Sequence, residues 1–478
     1  MTAGHAPLYL PWGFFLAVPV ALWLVDTAPS PRGAALMGWG VGFGYFVTGL
    51  HWIGHAFLVD PDRHAWMLPF ALTLLPGFLA LFWAAAFWAA RRLWTPGLAY
   101  QALALATFWT IAELLRGHIL TGFPWALPAY VWVETPVLQS AGWAGPYGVS
   151  FFVLLLAALP LSGIVRRQWV TAALAMAAFA GLWAWGTTRV PEEILYPEEP
   201  TLVRIVQPNA PQNQKWDPDY RDLFYTRQLA STAAGTVPDV VLWPETSVTF
   251  LPSEAPDLRT QIAAAARGAP VLMGALDVER QREGYDLFNA LLVIMPDGAI
   301  ETRYDKHHLV PFGEYLPLGW LLKPLGLEQI ATGGGFTEGP GPQTVSVPGV
   351  PPFAAAICYE MIFPSQIIGP GPRPHWIVTI TNDAWFGGFA GPQQHLDQAR
   401  FRAVEQGLPV ARAANTGISA MIDPYGRVVS QINLHQNAAL DTALPAPLAK
   451  TIYGHSGDLP TILLLLIATI VLFIRRYS

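Results

Sequence analysis

Cys358 is the only cysteine in a chain of 478 residues, and it ends an apolar run, Ala354-Ala355-Ala356-Ile357. A single thiol can make neither an internal disulfide nor a cysteine-rich metal site, so its remaining roles are buried filler or nucleophile. Taken alone it reads as filler, since free cysteine is among the most buried residue types. A nucleophilic thiol is scarcely ionised at neutral pH and requires a base or a nearby cation. Two other residues at the ends of strand-like apolar runs supply those types: Glu245 after Val-Val-Leu-Trp-Pro, and Lys306 after Arg-Tyr-Asp. A carboxylate can take the thiol proton and return it to a leaving group, and an ammonium can stabilise both thiolate and oxyanion. Each also has a bland reading: Glu245 as a strand-end ion-pair partner, Lys306 as a solvated surface charge, Cys358 as core.

The elements that would position these residues lie beyond residue 202, where short β-rich runs ended by Pro, Gly and Asp alternate with helical stretches. Strands are predicted at 202–207, 240–243, 271–275, 287–294, 353–357, 376–381, 410–413 and 418–422, and helices near 218–234, 255–267 and 393–406. Pro296-Asp297-Gly298 and Pro424-Tyr425-Gly426 are turn signals between strands. No repeat of 20–50 residues is apparent. Strand ends are common places to present catalytic side chains.

The rest of the chain has a different texture. Charged residues make up 13% and hydrophobic residues 53% of the sequence, against about 25% charged in ordinary soluble proteins. The first 190 residues hold only thirteen Asp, Glu, Lys or Arg, and the first lysine is Lys215. Apolar runs near 8–25, 34–58, 66–90, 97–115, 146–165, 168–188 and 459–474 are long enough to be membrane spans. The Trp- and Pro-rich stretch 122–142 reads as an interfacial or re-entrant connection. Arginines follow alternate spans at Arg32, Arg91-Arg92, Arg166-Arg167 and Arg475-Arg476, which places those sites in the cytoplasm and residues 190–455 on the other face. The implied domains are a helical bundle over 1–190, a catalytic domain over 191–455 and a closing helix over 456–478. A net charge of -6, with no zinc-finger or Walker motif, argues against nucleic acid as a partner.

The residue contexts make the case for chemistry. Trp243-Pro244-Glu245-Thr246-Ser247, then Tyr304-Asp305-Lys306 running to Pro311-Phe312-Gly313-Glu314, then Ile357-Cys358-Tyr359-Glu360, resemble the Glu-Lys-Cys triad of the carbon-nitrogen hydrolase (nitrilase) superfamily in the same chain order. The likeness is strongest to its membrane branch, the apolipoprotein N-acyltransferases, and covers nearly the whole chain. It includes Gln207-Pro208-Asn209, Lys215-Trp216, Thr381 to Gly387, Gln394-His395-Leu396 with Arg400, and Ala413 to Ser419.

The resemblance implies a multi-span α-helical membrane bundle carrying a periplasmic nitrilase-like α-β-β-α sandwich, in a bacterial inner membrane. It implies Glu245 as general base, Lys306 as oxyanion stabiliser and Cys358 as acylated nucleophile. Supporting roles fall to Glu314, Tyr359 and Glu360, with Trp216 near the lipid entrance. The acyl donor would be a phospholipid and the acceptor a diacylglyceryl-modified apolipoprotein at the bilayer, with no metal or organic cofactor. The family has eight spans where seven are counted here, so a first helix is expected to be missing unless 122–142 crosses. Rival readings are a membrane-tethered amidase that uses water, and a transporter with an inert extracytoplasmic domain.

Other features have weaker claims. The apolar stretch 316–327 reads as an arm that dips into the bilayer. His51 and His55 have i, i+4 metal spacing but no third ligand, and read as satisfied interior histidines. His307 or His308 as partner of a Cys-His dyad is the lesser alternative to Glu245. Gly333-Gly334-Gly335 lacks the residues of a P-loop. His395 and Arg400 are expected to make structural hydrogen bonds near the site.

Overall fold

The computed structural model describes residues 1–282, 284–322 and 335–478. The chain forms two compact units, one of Met1–Glu192, Phe389–Gly407 and Ala449–Ser478, the other of Glu193–Gly388 and Leu408–Leu448.

The first unit is helical. Among the described residues five helices are long and apolar enough to cross a membrane: Pro61–Arg92, Leu98–His118, Pro136–Val165, Trp169–Arg189 and Leu459–Tyr477. A sixth is counted if the pair Pro31–Gly49 and His51–Leu58, bent by 48°, is one span. Seven were expected from the sequence. The first apolar run yields only the shorter helix Pro11–Thr27, which has proline at its start and at Pro19. The second run breaks at Leu50 into 3-10 structure, so His51 and His55 do not share an α-helical face. Both histidines are exposed rather than interior, and His51 bonds its ring to Thr48 O at 2.9 Å. The stretch 122–142 holds two short 3-10 turns, Pro128–Trp132 and Pro136–Ser140.

Small residues set one close helix contact. A Cβ on Gly38 would lie 2.7 Å from Trp83 O, and one on Gly42 3.1 Å from Ala80 Cα, so the spacing Gly-x3-Gly lets helix Pro31–Gly49 lie against Pro61–Arg92. One carboxylate and one guanidinium are fully buried in helix Leu98–His118: Arg116 Nε donates to Glu113 Oε2 at 3.0 Å. Trp83 Nε1 donates to Glu113 Oε1 at 2.6 Å, and Arg116 also reaches Trp125 O at 2.9 Å. Such pairs are tolerated away from water when every donor and acceptor is engaged. The arginine-bearing helix ends meet: Arg91 bonds Ala28 O, Arg166 pairs with Asp26 at 3.0 Å, and Arg476 bonds Trp94 O at 3.2 Å.

By its contacts the helix Gly391–Gln406 groups with this unit. Its polar groups find partners there. Gln394 accepts from Trp52 and Trp125 at 3.2 and 2.8 Å, and Arg400 pairs with Glu134 and Asp397.

The second unit contains two six-stranded sheets. The strands are β1 Leu202–Gln207, β2 Val240–Leu242, β3 Val271–Arg280, β4 Tyr285–Ile294, β5 Ile300–Asp305, β6 Thr344–Val347, β7 Val350–Ile357, β8 Trp376–Thr381, β9 Val410–Ala414, β10 Ser419–Ile422, β11 Val428–Ile432 and β12 Ala438–Ala443. Their orders are β12-β1-β2-β3-β4-β5 and β11-β10-β9-β8-β7-β6. Each sheet has three parallel strands, β1-β2-β3 or β7-β8-β9. Two antiparallel strands continue each sheet on one side and one, β12 or β6, is added on the other. The halves thus repeat in topology, on a scale longer than a short sequence repeat would reveal.

Period-two alternation builds the core. Val203, Ile205, Val240 and Leu242 face the second sheet's Phe353, Ala355, Ile357 and Val378. Val206, Val241, Trp243 and Met273 face the other way, against Ile262 and Ala266, so helix Pro256–Ala266 covers the outside of the first sheet. Sheet on sheet with helices outside is the nitrilase-like α-β-β-α sandwich. The carboxyl ends of parallel strands are where such sheets bind ligands. Glu245 follows β2 and Cys358 follows β7 there.

Candidate active site

Cys358 begins a five-residue 3-10 turn, Cys358–Ile362, directly after β7. Its φ is +49°, a left-handed conformation that is costly for a residue with a Cβ and recurs at functional turns. Without that break the alternation Phe353, Ala355, Ile357 would continue past Ile357 along the pleat; with it the side chain turns toward β2. Glu360 holds the turn in place. Its Oε2 accepts from Ile357 N at 2.6 Å and from Tyr304 OH at 2.9 Å. Its Oε1 accepts from His307 N at 2.7 Å and meets His307 Nδ1 at 2.6 Å. One buried carboxylate therefore ties the Cys358 turn to the segment that follows Lys306. His307 is engaged in that tie.

Glu245 is fixed from several directions. Asn289 Nδ2 donates to Oε1 at 2.7 Å, and Lys306 Nζ lies 3.3 Å from the same oxygen. Asn382 N donates to Oε2 at 2.8 Å, and Lys215 Nζ donates to the Glu245 carbonyl at 3.3 Å. The Cys358 thiol is hydrogen-bonded to the Glu245 carboxylate and lies within hydrogen-bonding reach of Thr381. Behind the loop Gly274 is required: a Cβ there would fall 2.5 Å from Glu245 Cα and 2.6 Å from Pro244 O.

Lys306 sits between two carboxylates. Its Nζ is 2.8 Å from Glu314 Oε1, which also accepts from Asn289 Nδ2 at 3.0 Å, while Glu314 Oε2 accepts from Val310 N at 2.7 Å. Tyr359 is buried and its ring is 5.7 Å from that of His308.

The charges sort themselves by environment. Burial alone would raise the Glu245 carboxyl, but Lys306, the Asn289 amide and the Cys358 thiol outweigh it and hold it below the usual carboxylate value. Burial, then the charge of Glu245, push the Cys358 thiol well above its usual value, with Lys306 opposing. Burial would lower Lys306, but Glu314 and Glu245 outweigh it and raise it. Burial lowers Lys215 to about 8, with Glu245 opposing in part. At neutral pH the resting site is therefore a neutral thiol donating to a carboxylate beside an ammonium. That arrangement can deliver a thiolate to an electrophile while the proton stays on the neighbouring carboxyl.

The fold thus brings together Glu245, Lys306, Cys358, Glu314 and Glu360. Trp216 stands apart: it ends the turn Gln212–Lys215 and is 46% exposed. His395 and Arg400 belong to the first unit, where His395 stacks at a tilt on Trp125 and Arg400 pairs with Glu134. Of the stretch 316–327, Gly319–Leu322 is a single helical turn with Trp320 exposed; residues 323–327, and Gly333 and Gly334, lie outside the described residues. Two residues went unnoticed in the sequence as site groups. Asn289 had a visible signal, a lone amide inside the apolar run Leu287 to Ile294, which must find partners when buried. Lys215 had none beyond its place in a matching motif.

Residues 1–159 match the family described as the apolipoprotein N-acyltransferase N-terminal domain, and residues 202–450 match the carbon-nitrogen hydrolase family. The apolipoprotein N-acyltransferase of Rhodopseudomonas palustris is 40% identical over 486 aligned residues, covering 97% of this chain and 90% of that protein. That of Bradyrhizobium diazoefficiens is 39% identical, covering 99% and 92%, and that of Brucella suis 40% identical, covering 95% and 89%. A solved nitrilase-superfamily amidase from Nesterenkonia is 17% identical with a TM-score of 0.39, covering 56% of this chain and 98% of that one. A membrane-helical unit and a carbon-nitrogen hydrolase sandwich in one chain, with near full-length relatives of one kind, place this chain in the apolipoprotein N-acyltransferase family.

Proposed function

We propose that this protein moves an acyl chain from a phospholipid to the N-terminal α-amine of a diacylglyceryl-cysteine lipoprotein, in two half-reactions that share Cys358. The observation that carries the reading is the Glu245 carboxylate, which receives the hydrogen bond of the only thiol and lies 3.3 Å from the Lys306 ammonium.

In the first half-reaction Glu245 takes the thiol proton as the sulfur attacks the ester carbonyl carbon of the donor. The carbonyl oxygen becomes an oxyanion, stabilised by the Lys306 ammonium and a backbone N–H near Tyr359. Collapse breaks the carbon–oxygen ester bond, and the departing alkoxide takes the proton from Glu245 and leaves as lysophospholipid. A thioester remains on Cys358. In the second half-reaction the neutral α-amine attacks the thioester and gives a proton to Glu245. The carbon–sulfur bond breaks, the thiolate regains that proton, and an amide is formed. No group beyond these side chains is asked to move a proton, because a thioester is reactive enough.

Glu314 keeps Lys306 aimed, and Glu360 keeps the Cys358 turn closed. Trp216, on the surface beside Lys215, is assigned to the lipid entrance. The arginine-bearing ends gathered around Asp26 support a cytoplasmic placement for that end of the bundle. The sandwich would then face the periplasm of a bacterial inner membrane.

The test is a transfer assay with purified protein, phospholipid and a synthetic diacylglyceryl-cysteine peptide. An N-acylated peptide with equimolar lysophospholipid is expected. Free fatty acid with an unmodified peptide would instead indicate a hydrolase and overturn the reading.

A further inference from the structure

Behind the Glu245 loop lies a cavity of about 90 Å³ lined by Lys215, Phe224, Tyr225, Ser247, Val248 and Phe250, among others. That is room for a few waters. Lys215 is buried, and the one hydrogen bond its ammonium makes among the described residues is to the carbonyl oxygen of Glu245.

The segment that carries Lys215 is fastened to the rest of the site. Ala210 N donates to Asn415 Oδ1 at 2.9 Å, and Asn415 Nδ2 donates back to Ala210 O at 2.7 Å. Asn415 Nδ2 also donates to Asn382 Oδ1 at 2.9 Å, and Asn382 Nδ2 donates to Gln212 Oε1 at 2.7 Å. The same Asn382 gives its backbone N–H to the Glu245 carboxylate. Glu245 is thus held at its carboxylate by Asn382 and at its carbonyl by Lys215, with the two holders linked through Gln212. The residue that follows, Thr246, has a φ of +47°, so the loop stands in a conformation that needs such outside support.

We infer that Lys215 is a positioning residue for the acyl transfer, its ammonium fixing the Glu245 loop and its charge setting how readily Glu245 accepts a proton. The inference rests on Glu245 being the base. The titratable groups facing Lys215 are Glu245 itself and, across the cavity, Arg221, Asp222 and Tyr225. Arg221 and Asp222 neighbour each other at 3.7 Å and leave Glu245 as the dominant charge. Because burial brings Lys215 to about 8, its charge is lost within a range where the enzyme can be assayed, and the cavity gives water a route to it.

The test uses the full chain in phospholipid vesicles, with acyl-enzyme formation followed by intact mass for wild type, Lys215→Met, Lys215→Arg and Cys358→Ala. Lys215→Met should slow acylation about tenfold with the half-saturating donor concentration unchanged, and Lys215→Arg should recover most of the loss. The wild-type rate should bend near pH 8 and that of Lys215→Met should not. If Lys215→Met matches wild type in rate and pH profile, the inference fails. It fails equally if the half-saturating donor concentration shifts while the limiting rate holds, since that is substrate binding. Equal loss in Lys215→Met and Lys215→Arg, with unchanged melting temperatures, would also refute a role for the charge. Acylation that persists in Cys358→Ala would sink the parent reading instead.

Discussion

The backbone N–H of Asn382 lies 2.8 Å from Oε2 of Glu245, so a peptide at the end of β8 in the second sheet grips the carboxylate carried by β2 in the first. The carboxylate therefore depends on how the two sheets are stacked, and changes far from the thiol should be felt in catalysis.

Removing the proposed base is the simplest case. Glu245→Gln keeps the shape, but its one amide oxygen can accept from the side of Asn382 N–H or from that of Lys306, not both, and it cannot take the thiol proton. Acylation from phospholipid should fall by about 10²- to 10⁴-fold, and the melting temperature should drop as a buried donor loses its acceptor, measured by intact mass over time and by thermal unfolding.

Lys306→Met should be costly in stability as well as rate. It leaves the Glu245 and Glu314 carboxylates buried without their shared cation, and breaking such a pair costs about 3–5 kcal/mol. The double variant Lys306→Met with Glu314→Gln should recover part of that loss while remaining inactive, as read by denaturant unfolding.

Gly274→Ala tests position without touching any reacting group. The added methyl would fall 2.5 Å from Glu245 Cα, and overpacking of this kind costs about 1–3 kcal/mol. A displacement of the base near 1 Å should lower the acylation rate by about 10²-fold. Wild-type kinetics in this variant would show that the loop tolerates movement.

The pH dependence of stability has a definite sign. The Cys358 thiol is raised in the folded chain above its ordinary 9.0, so the unfolded chain loses that proton first as pH rises. Its contribution is complete below about pH 9 and is lost above it. Melting temperatures of wild type should therefore fall relative to those of Cys358→Ser above that pH. Glu245 is lowered, so its contribution is present above the ordinary carboxylate value and disappears in acid as pH falls through its folded value.

Much of the candidate site was legible in the chain: Glu245 and Cys358 follow apolar strand runs, and Lys306 lies in the motif that runs to Glu314. The strands that escaped notice, β5, β6, β11 and β12, lie at or next to sheet edges. β5 reads Ile-Glu-Thr-Arg-Tyr-Asp and buries only Tyr304 fully, so its apolar signal is too thin to see. β12 buries only Thr442 and has the same weakness. Helix Gly391–Gln406 was legible as an element, but its partners were not. Structural hydrogen bonds were expected of His395 and Arg400 alone, yet Asp397, Arg402 and Glu405 are buried as well, and all the charges are paired within the helix or with Glu134. Which unit a helix joins is decided by such partners, distant in sequence, and no local pattern records them. Lys215 was hidden for the same reason, since only the folded loop brings it to Glu245.

The central claim is that Cys358 carries the acyl group between donor and acceptor. The direct measurement is the intact mass of the purified protein after incubation with phospholipid and no acceptor, for wild type and Cys358→Ala. Wild type should gain the mass of one acyl group, lose it when the diacylglyceryl-cysteine peptide is added, and the variant should gain nothing. An unmodified wild-type protein that still transfers acyl chains to the peptide, or a variant that gains the same mass, would contradict the account.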